Sequence, residues 1–144
     1  MNAESSRSLA RSVGAILAGM IATIAPTVAT DYALQTMGVF PSGGQAISEP
    51  LFVLATIYRT LFGVAGSYLT AWLAPYRPML HAMVGGFIGL AASIAGAAST
   101  WDEGPELGSK WYPLALVVLA LPSAWLGGWL RIKYIALMEI RKTK

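Results

Sequence analysis

Residues 51–74 read LFVLATIYRTLFGVAGSYLTAWLA, a run that is long and apolar enough to cross a bilayer and that holds a single charge, Arg59. Arginine at the centre of a membrane helix costs on the order of 3 kcal/mol on insertion scales, so a charge placed there requires a partner, water, or a route to the interface. Asp31 is the candidate partner. Arg59 lies nine residues beyond Pro50, or about 13 Å along a helix, and Asp31 lies six or seven residues from the end of the preceding apolar run, about 10 Å along. These depths match within an arginine's reach, and a bidentate contact between the two is expected if their helices are neighbours.

Three further apolar stretches accompany this one, at Val13 to Leu34, Leu80 to Thr100 and Tyr112 to Leu130. Each is near the ~20 residues needed to span ~30 Å of hydrocarbon. Hydrophobic residues make up 56% of the chain and charged ones 12%, about half the charge of an average soluble domain. An ordinary soluble protein is thereby excluded. A membrane β-barrel is excluded as well, because its strands alternate polar and apolar over ~10 residues, whereas these stretches are longer and apolar on all sides. The expected fold is all-α, an integral membrane bundle of four transmembrane helices, with a lead at 1–12, a transmembrane domain at 13–132 and a basic tail at 133–144.

The net charge of +3 is explained by topology. Arg7, Arg11, Arg77, Arg131, Lys133, Arg141, Lys142 and Lys144 fall on one side of a four-span arrangement, leaving Lys110 opposite and Arg59 within the membrane. The positive-inside rule then puts both termini in the cytoplasm. Attraction to anionic lipid is a secondary consequence, and nucleic acid is not an expected partner. A competing reading takes Arg7, Arg11, the apolar Val13 to Ala25 and Thr27-Val28-Ala29 as a cleaved secretory signal. Against it, the apolar run continues to Leu34 through Pro26 and Asp31.

Along the chain, Met1 to Ser12 reads as a frayed polar lead. Pro26 and Pro122 are kink candidates, with Thr23, Thr27 and Thr30 placed to satisfy the carbonyl that Pro26 frees. Pro41-Ser42-Gly43-Gly44 breaks the chain, and Ser48-Glu49-Pro50 reads as a helix start with Ser48 as its cap. The short Pro75-Tyr76-Arg77-Pro78 link predicts that the second and third spans form a tight antiparallel hairpin. Trp101, Trp111 and Tyr112 mark a headgroup level, with Asp102, Glu103 and Glu106 in the loop between them. From Ile132 onward the chain either leaves along the membrane surface or continues the fourth helix.

Polar and small residues recur around Arg59 at helical spacing. Thr56, Thr60, Gly63, Ser67 and Thr70 share a stripe with it, and Thr23, Thr27 and Asp31 form a second stripe on the first span. Two such stripes face to face form either a wettable seam or a close-packed one. On the third span, Gly85, Gly89, Ser93 and Ala97 repeat every fourth residue as a small-residue packing face. Candidate binding residues are therefore Arg59, Asp31, Thr27, Thr56 and Thr60, and candidate helix-packing residues are Gly85, Gly89, Ser93, Ala97 and Gly63.

Nothing in the chain reads as catalytic. There is no cysteine, one histidine (His81, placed at an interface), and no HExxH, GxSxG, P-loop or dinucleotide-binding signature. No metal or cofactor is expected, and the chain does not read as an enzyme.

Tyr58-Arg59-Thr60, Gly63, Gly66, Tyr68-Leu69-Thr70-Ala71, Leu73-Ala74-Pro75, Arg77-Pro78-Met79 and His81-Ala82 resemble a pattern in an uncharacterised family of small bacterial membrane proteins. Trp111-Tyr112-Pro113-Leu114-Ala115-Leu116, Pro122 and Trp125-Leu126-Gly127-Gly128 are similar to the same group. The resemblance implies a four-span protein of the bacterial inner membrane and carries no activity. Two functions stay open. One is a binding, assembly or accessory component in contact with lipid and with a second copy or another membrane protein, the Arg59 and Asp31 pair serving as a structural clamp. The other is a small anion- or proton-coupled transport unit built on the same pair.

Overall fold

Four helices follow one another in the computed structural model, which describes residues 3–41, 47–102 and 109–142: α1 (Ala3–Thr36), α2 (Glu49–Leu73), α3 (Pro78–Thr100) and α4 (Trp111–Lys142). All four are long and apolar enough to cross a membrane. Their outward faces are apolar, as at Val13, Leu17 and Ile21 of α1, and the fold is that of an integral membrane bundle. With an even number of crossings, the termini and the 74–77 link share one end, here the terminal end. The opposite, connection end carries residues 37–41, 47–48, 101–102 and 109–110.

Residues expected to form a frayed lead are helical from Ala3, so α1 runs 34 residues, about 51 Å and well beyond the hydrocarbon core. The fourth span likewise continues as one helix to Lys142. α1 ends where Gly38 adopts φ 71°, a left-handed conformation that costs glycine little. The amides of Val39 and Phe40 then donate to the Leu34 carbonyl at 2.9 and 3.1 Å, turning Phe40 back onto the bundle. Ser48 occupies the cap position of α2, but its side chain makes no capping hydrogen bond; the amides of Leu51 and Phe52 bond to its carbonyl instead. Nor do the threonines near Pro26 serve the carbonyl it frees, since Thr23 donates to Gly19 and Thr27 to Thr23.

Packing differs from a simple chain of hairpins. α2 lies mainly against α1 and α4, and α3 mainly against α4, while α2 and α3 share a smaller contact. The short link keeps α2 and α3 adjacent at the terminal end, with Arg77 at φ 42° before Pro78. Toward the connection end, space opens between them.

The tight seams are made by small residues at the terminal half. A Cβ on Gly19 would overlap Thr70, and one on Gly66 would lie 2.5 Å from the Gly19 carbonyl, so α1 and α2 touch backbone to backbone. Gly127 approaches the Val64 carbonyl in the same way, and Gly128 sits against Met79 and Ala82. Such contacts substitute for the hydrophobic drive that lipid removes. His81, in the first turn of α3, is buried; Tyr76 packs against its ring and its Nδ1 lies 3.2 Å from the Arg77 carbonyl.

Candidate functional site

Asp31 and Arg59 meet as their depths require, with Nη2 donating to Oδ2 at 2.6 Å. The contact is not the bidentate fork expected. Tyr58 donates its hydroxyl to Asp31 Oδ1, so the carboxylate divides its oxygens between two neighbours on α2. The guanidinium carbon also lies 5.9 Å from the centre of the Tyr112 ring, which brings α4 to the cluster. Arg59 Nε is buried without an acceptor among the described residues.

An aromatic floor fixes this geometry. Phe40, Ala55 and Tyr58 form a buried cluster, with Leu34, Leu51, Phe62 and Tyr112 packed around it. The Phe52 and Tyr112 rings pack at a 44° tilt with centroids 5.0 Å apart. Tyr58 therefore has one face in apolar contact while its hydroxyl reaches the carboxylate, the usual division of labour for a buried tyrosine.

Two cavities adjoin the cluster. The larger, about 990 Å³, lies toward the connection end; Asp31, Tyr58, Arg59, Ala97, Lys110 and Tyr112 are among its walls. The smaller, about 330 Å³, lies deeper and is bounded by Thr27, Thr60, Gly63, Ser67, Gly85, Gly89 and Ser123, together with Arg59. Arg59, Ser93 and Leu116 line both. On every helix the order is the same: residues of the larger cavity, then the smaller, then the packed seams. Along α2 the cavities reach from Phe52 to Ser67, about 22 Å of helix.

The polar stripes thus divide. Thr27, Thr60, Gly63 and Ser67 border open space, whereas Gly19, Gly66 and Thr70 pack closely. Thr27, Thr56 and Thr60 donate to their own helix, to the carbonyls of Thr23, Phe52 and Thr56 at 2.7, 2.8 and 2.7 Å. Thr56 borders neither cavity.

The small-residue face of α3 is rotated from its expected role. A Cβ on Gly85 or Gly89 would meet nothing within 4 Å, and both residues border the smaller cavity. Close packing on α4 is made by the neighbouring face instead, where a Cβ on Gly86 would overlap Ala124. Ala97 is buried, and Gly63 packs closely on Ser123, whose Oγ would lie a tight 3.3 Å from a Cβ there.

At the connection end, Glu49 accepts from the Ser109 hydroxyl and from Trp111 Nε1, the latter at 2.6 Å, fastening the start of α2 to the start of α4. Of the acidic loop group, Glu103 and Glu106 lie outside the described residues, as do Ser42, Gly43 and Gly44. Among the described residues, no three His, Asp or Glu side chains are grouped to hold a metal.

Tyr58 and Tyr112 are the site residues that sequence reasoning missed. A signal for Tyr58 was present: it lies nine residues into α2, too deep for an interfacial aromatic, and next to the intramembrane charge. Compared with family models, with curated proteins and with solved structures, the chain finds no match in any of the three.

Proposed function

We propose that the protein is a non-catalytic binding component of a bacterial inner membrane, with both termini cytoplasmic, that holds a small amphiphile in the larger cavity. The observation that carries this reading is that cavity itself, about 990 Å³ of space with Tyr58, Asp31 and Arg59 in one wall and mainly apolar residues elsewhere. A largely apolar chamber with a few convergent polar groups is the common form of a small-molecule site. The ion pair ties α1 to α2 beside that chamber and acts as the structural clamp of the site.

Native mass spectrometry of the purified protein with decanoate tests the proposal. Gly96 borders the cavity, and a Cβ there meets nothing within 4 Å, so Gly96→Leu fills space without displacing backbone. Wild type should carry one decanoate and Gly96→Leu none. Equal occupancy in the two proteins overturns the assignment.

A second reading, passage of a solute through the bundle, draws support from Arg59, Ser93 and Leu116 lying between the two cavities. Arg59→Lys separates the readings, because lysine keeps the charge but lacks the planar fork. A structural clamp tolerates it better than a transport site does.

A further inference from the structure

The smaller cavity differs in chemistry from the larger one. The larger is bordered by two acids, Asp31 and Asp102, and two bases, Arg59 and Lys110. The smaller has one formally charged residue in its walls, Arg59, and no acid. Its remaining polar groups are hydroxyls, at Thr27, Thr60, Ser67 and Ser123 among others. A half-open space of about 330 Å³, with one positive group and no acid, has the charge sign for a small anion and room for water beside it.

Arginine supplies more donors than Asp31 takes. The salt bridge uses Nη2, and Nε has no accessible surface, so the cavity reaches this guanidinium through its Nη groups. A guanidinium has five N–H groups and stays charged at any physiological pH, so one carboxylate oxygen leaves much of its capacity unspent. In a low-dielectric setting an unmatched donor of this kind favours an incoming acceptor. A compensating carboxylate on the far side of the guanidinium lowers the cost of carrying the charge to this depth, and it leaves the charge attractive on the cavity side.

We infer that the smaller cavity is a binding site for a small monovalent anion, a halide, nitrate or short carboxylate, held by Arg59 with the Ser67 and Ser93 hydroxyls, since those of Thr27, Thr60 and Ser123 donate to carbonyls of their own helices. Asp31 and the anion then sit on two sides of one guanidinium. This site is independent of the amphiphile assigned to the larger cavity, and either assignment stands if the other fails.

Line broadening of the ³⁵Cl resonance by the purified protein in a non-ionic detergent tests it. Wild type should broaden the chloride line beyond a detergent blank, and nitrate or formate should reverse the excess. Gly85 borders the cavity and has open space at its Cβ position, so Gly85→Leu occupies the site without a backbone clash and should abolish the excess broadening. The pair Asp31→Asn with Arg59→Gln removes both charges together and avoids stranding either one. Loss of one charge-assisted contact should lower chloride affinity about ten- to a hundredfold. Gly14→Leu, whose Cβ also meets nothing within 4 Å and which borders neither cavity, should behave as wild type. Circular dichroism confirms that each variant is folded before it is compared. No excess broadening in wild type overturns the assignment, as does excess broadening that survives in Gly85→Leu.

Discussion

Replacing Asp31 with leucine should destabilise the bundle more than replacing Asp31 and Arg59 together. In the single variant the Arg59 guanidinium loses its carboxylate and the Tyr58 hydroxyl loses its acceptor. A hydrogen bond to a charged group contributes about 1.5–3 kcal/mol, and an uncompensated arginine in the membrane costs on the order of 3 kcal/mol. The two side chains are 34% and 27% exposed, so solvent reaching the cavity offsets part of this. About 2–3 kcal/mol remains for Asp31→Leu, and a similar figure for Arg59→Met, which strands the carboxylate. In the double variant no charge is left behind, and the main penalty is one tyrosine hydroxyl without a partner, about 1 kcal/mol. Simple addition of the singles would give about 5 kcal/mol, so the two outcomes are well separated. Reversible unfolding by dodecyl sulfate in maltoside micelles, followed by circular dichroism, measures all four corners of the cycle. A double variant as unstable as the sum of the singles would refute the clamp.

Glycine substitutions should separate packed seams from open space. Gly66→Ala forces a methyl against the Gly19 carbonyl and Thr23 and should cost about 2 kcal/mol or more in the same assay, whereas Gly89→Ala meets nothing and should be neutral or stabilising by about 0.5–1 kcal/mol. Glu49→Gln weakens the fastening of α2 to Ser109 and Trp111; hydrogen exchange at the first turn of α4 should accelerate while global stability changes little, because the group is exposed. For topology, a cysteine at Met37, which is 75% exposed at the connection end, should react with an impermeant maleimide in spheroplasts, and one at Lys142 only after lysis. The reverse pattern would invert the orientation.

Element type and the ion pair were both legible in the sequence for the same reason: in lipid, cost depends on depth, and depth follows from residue count. An arginine in residues 51–74 needed a partner, and Asp31 alone lay at a comparable depth among the neighbouring spans. Rotation of a helix about its axis has no such constraint. The four-residue repeat through Gly85 and Gly89 is real, but the adjacent face through Ala82 and Gly86 is just as small, and contact with α4 chose the latter. The same limit hid the separation of α2 from α3, because a short link fixes adjacency at one end only. Tyr58 carries no charge, so depth alone does not oblige it to have a partner, and its hydroxyl is tied to Asp31 only by the rotation of α2. The bidentate contact failed for a related reason: counting two charges as one closed pair ignored that a carboxylate has a second oxygen to share.

The placement of the pair within the packing gradient gives it physical weight. At the terminal half, glycine and alanine bring backbones into contact, and the helices hold one another by dispersion and close approach. At the connection half the walls diverge around two cavities, and contacts of that kind are fewer between α1 and its neighbours. A bundle opened in this way needs directional contacts to keep its helices in register. Asp31 with Tyr58 and Arg59 supplies them between α1 and α2, and Glu49 with Ser109 and Trp111 supplies them between α2 and α4. Both polar ties attach to α2, which lies between α1 and α4. Loosening either one should therefore widen the chamber before it unfolds the bundle, since the glycine seams at the other end remain intact.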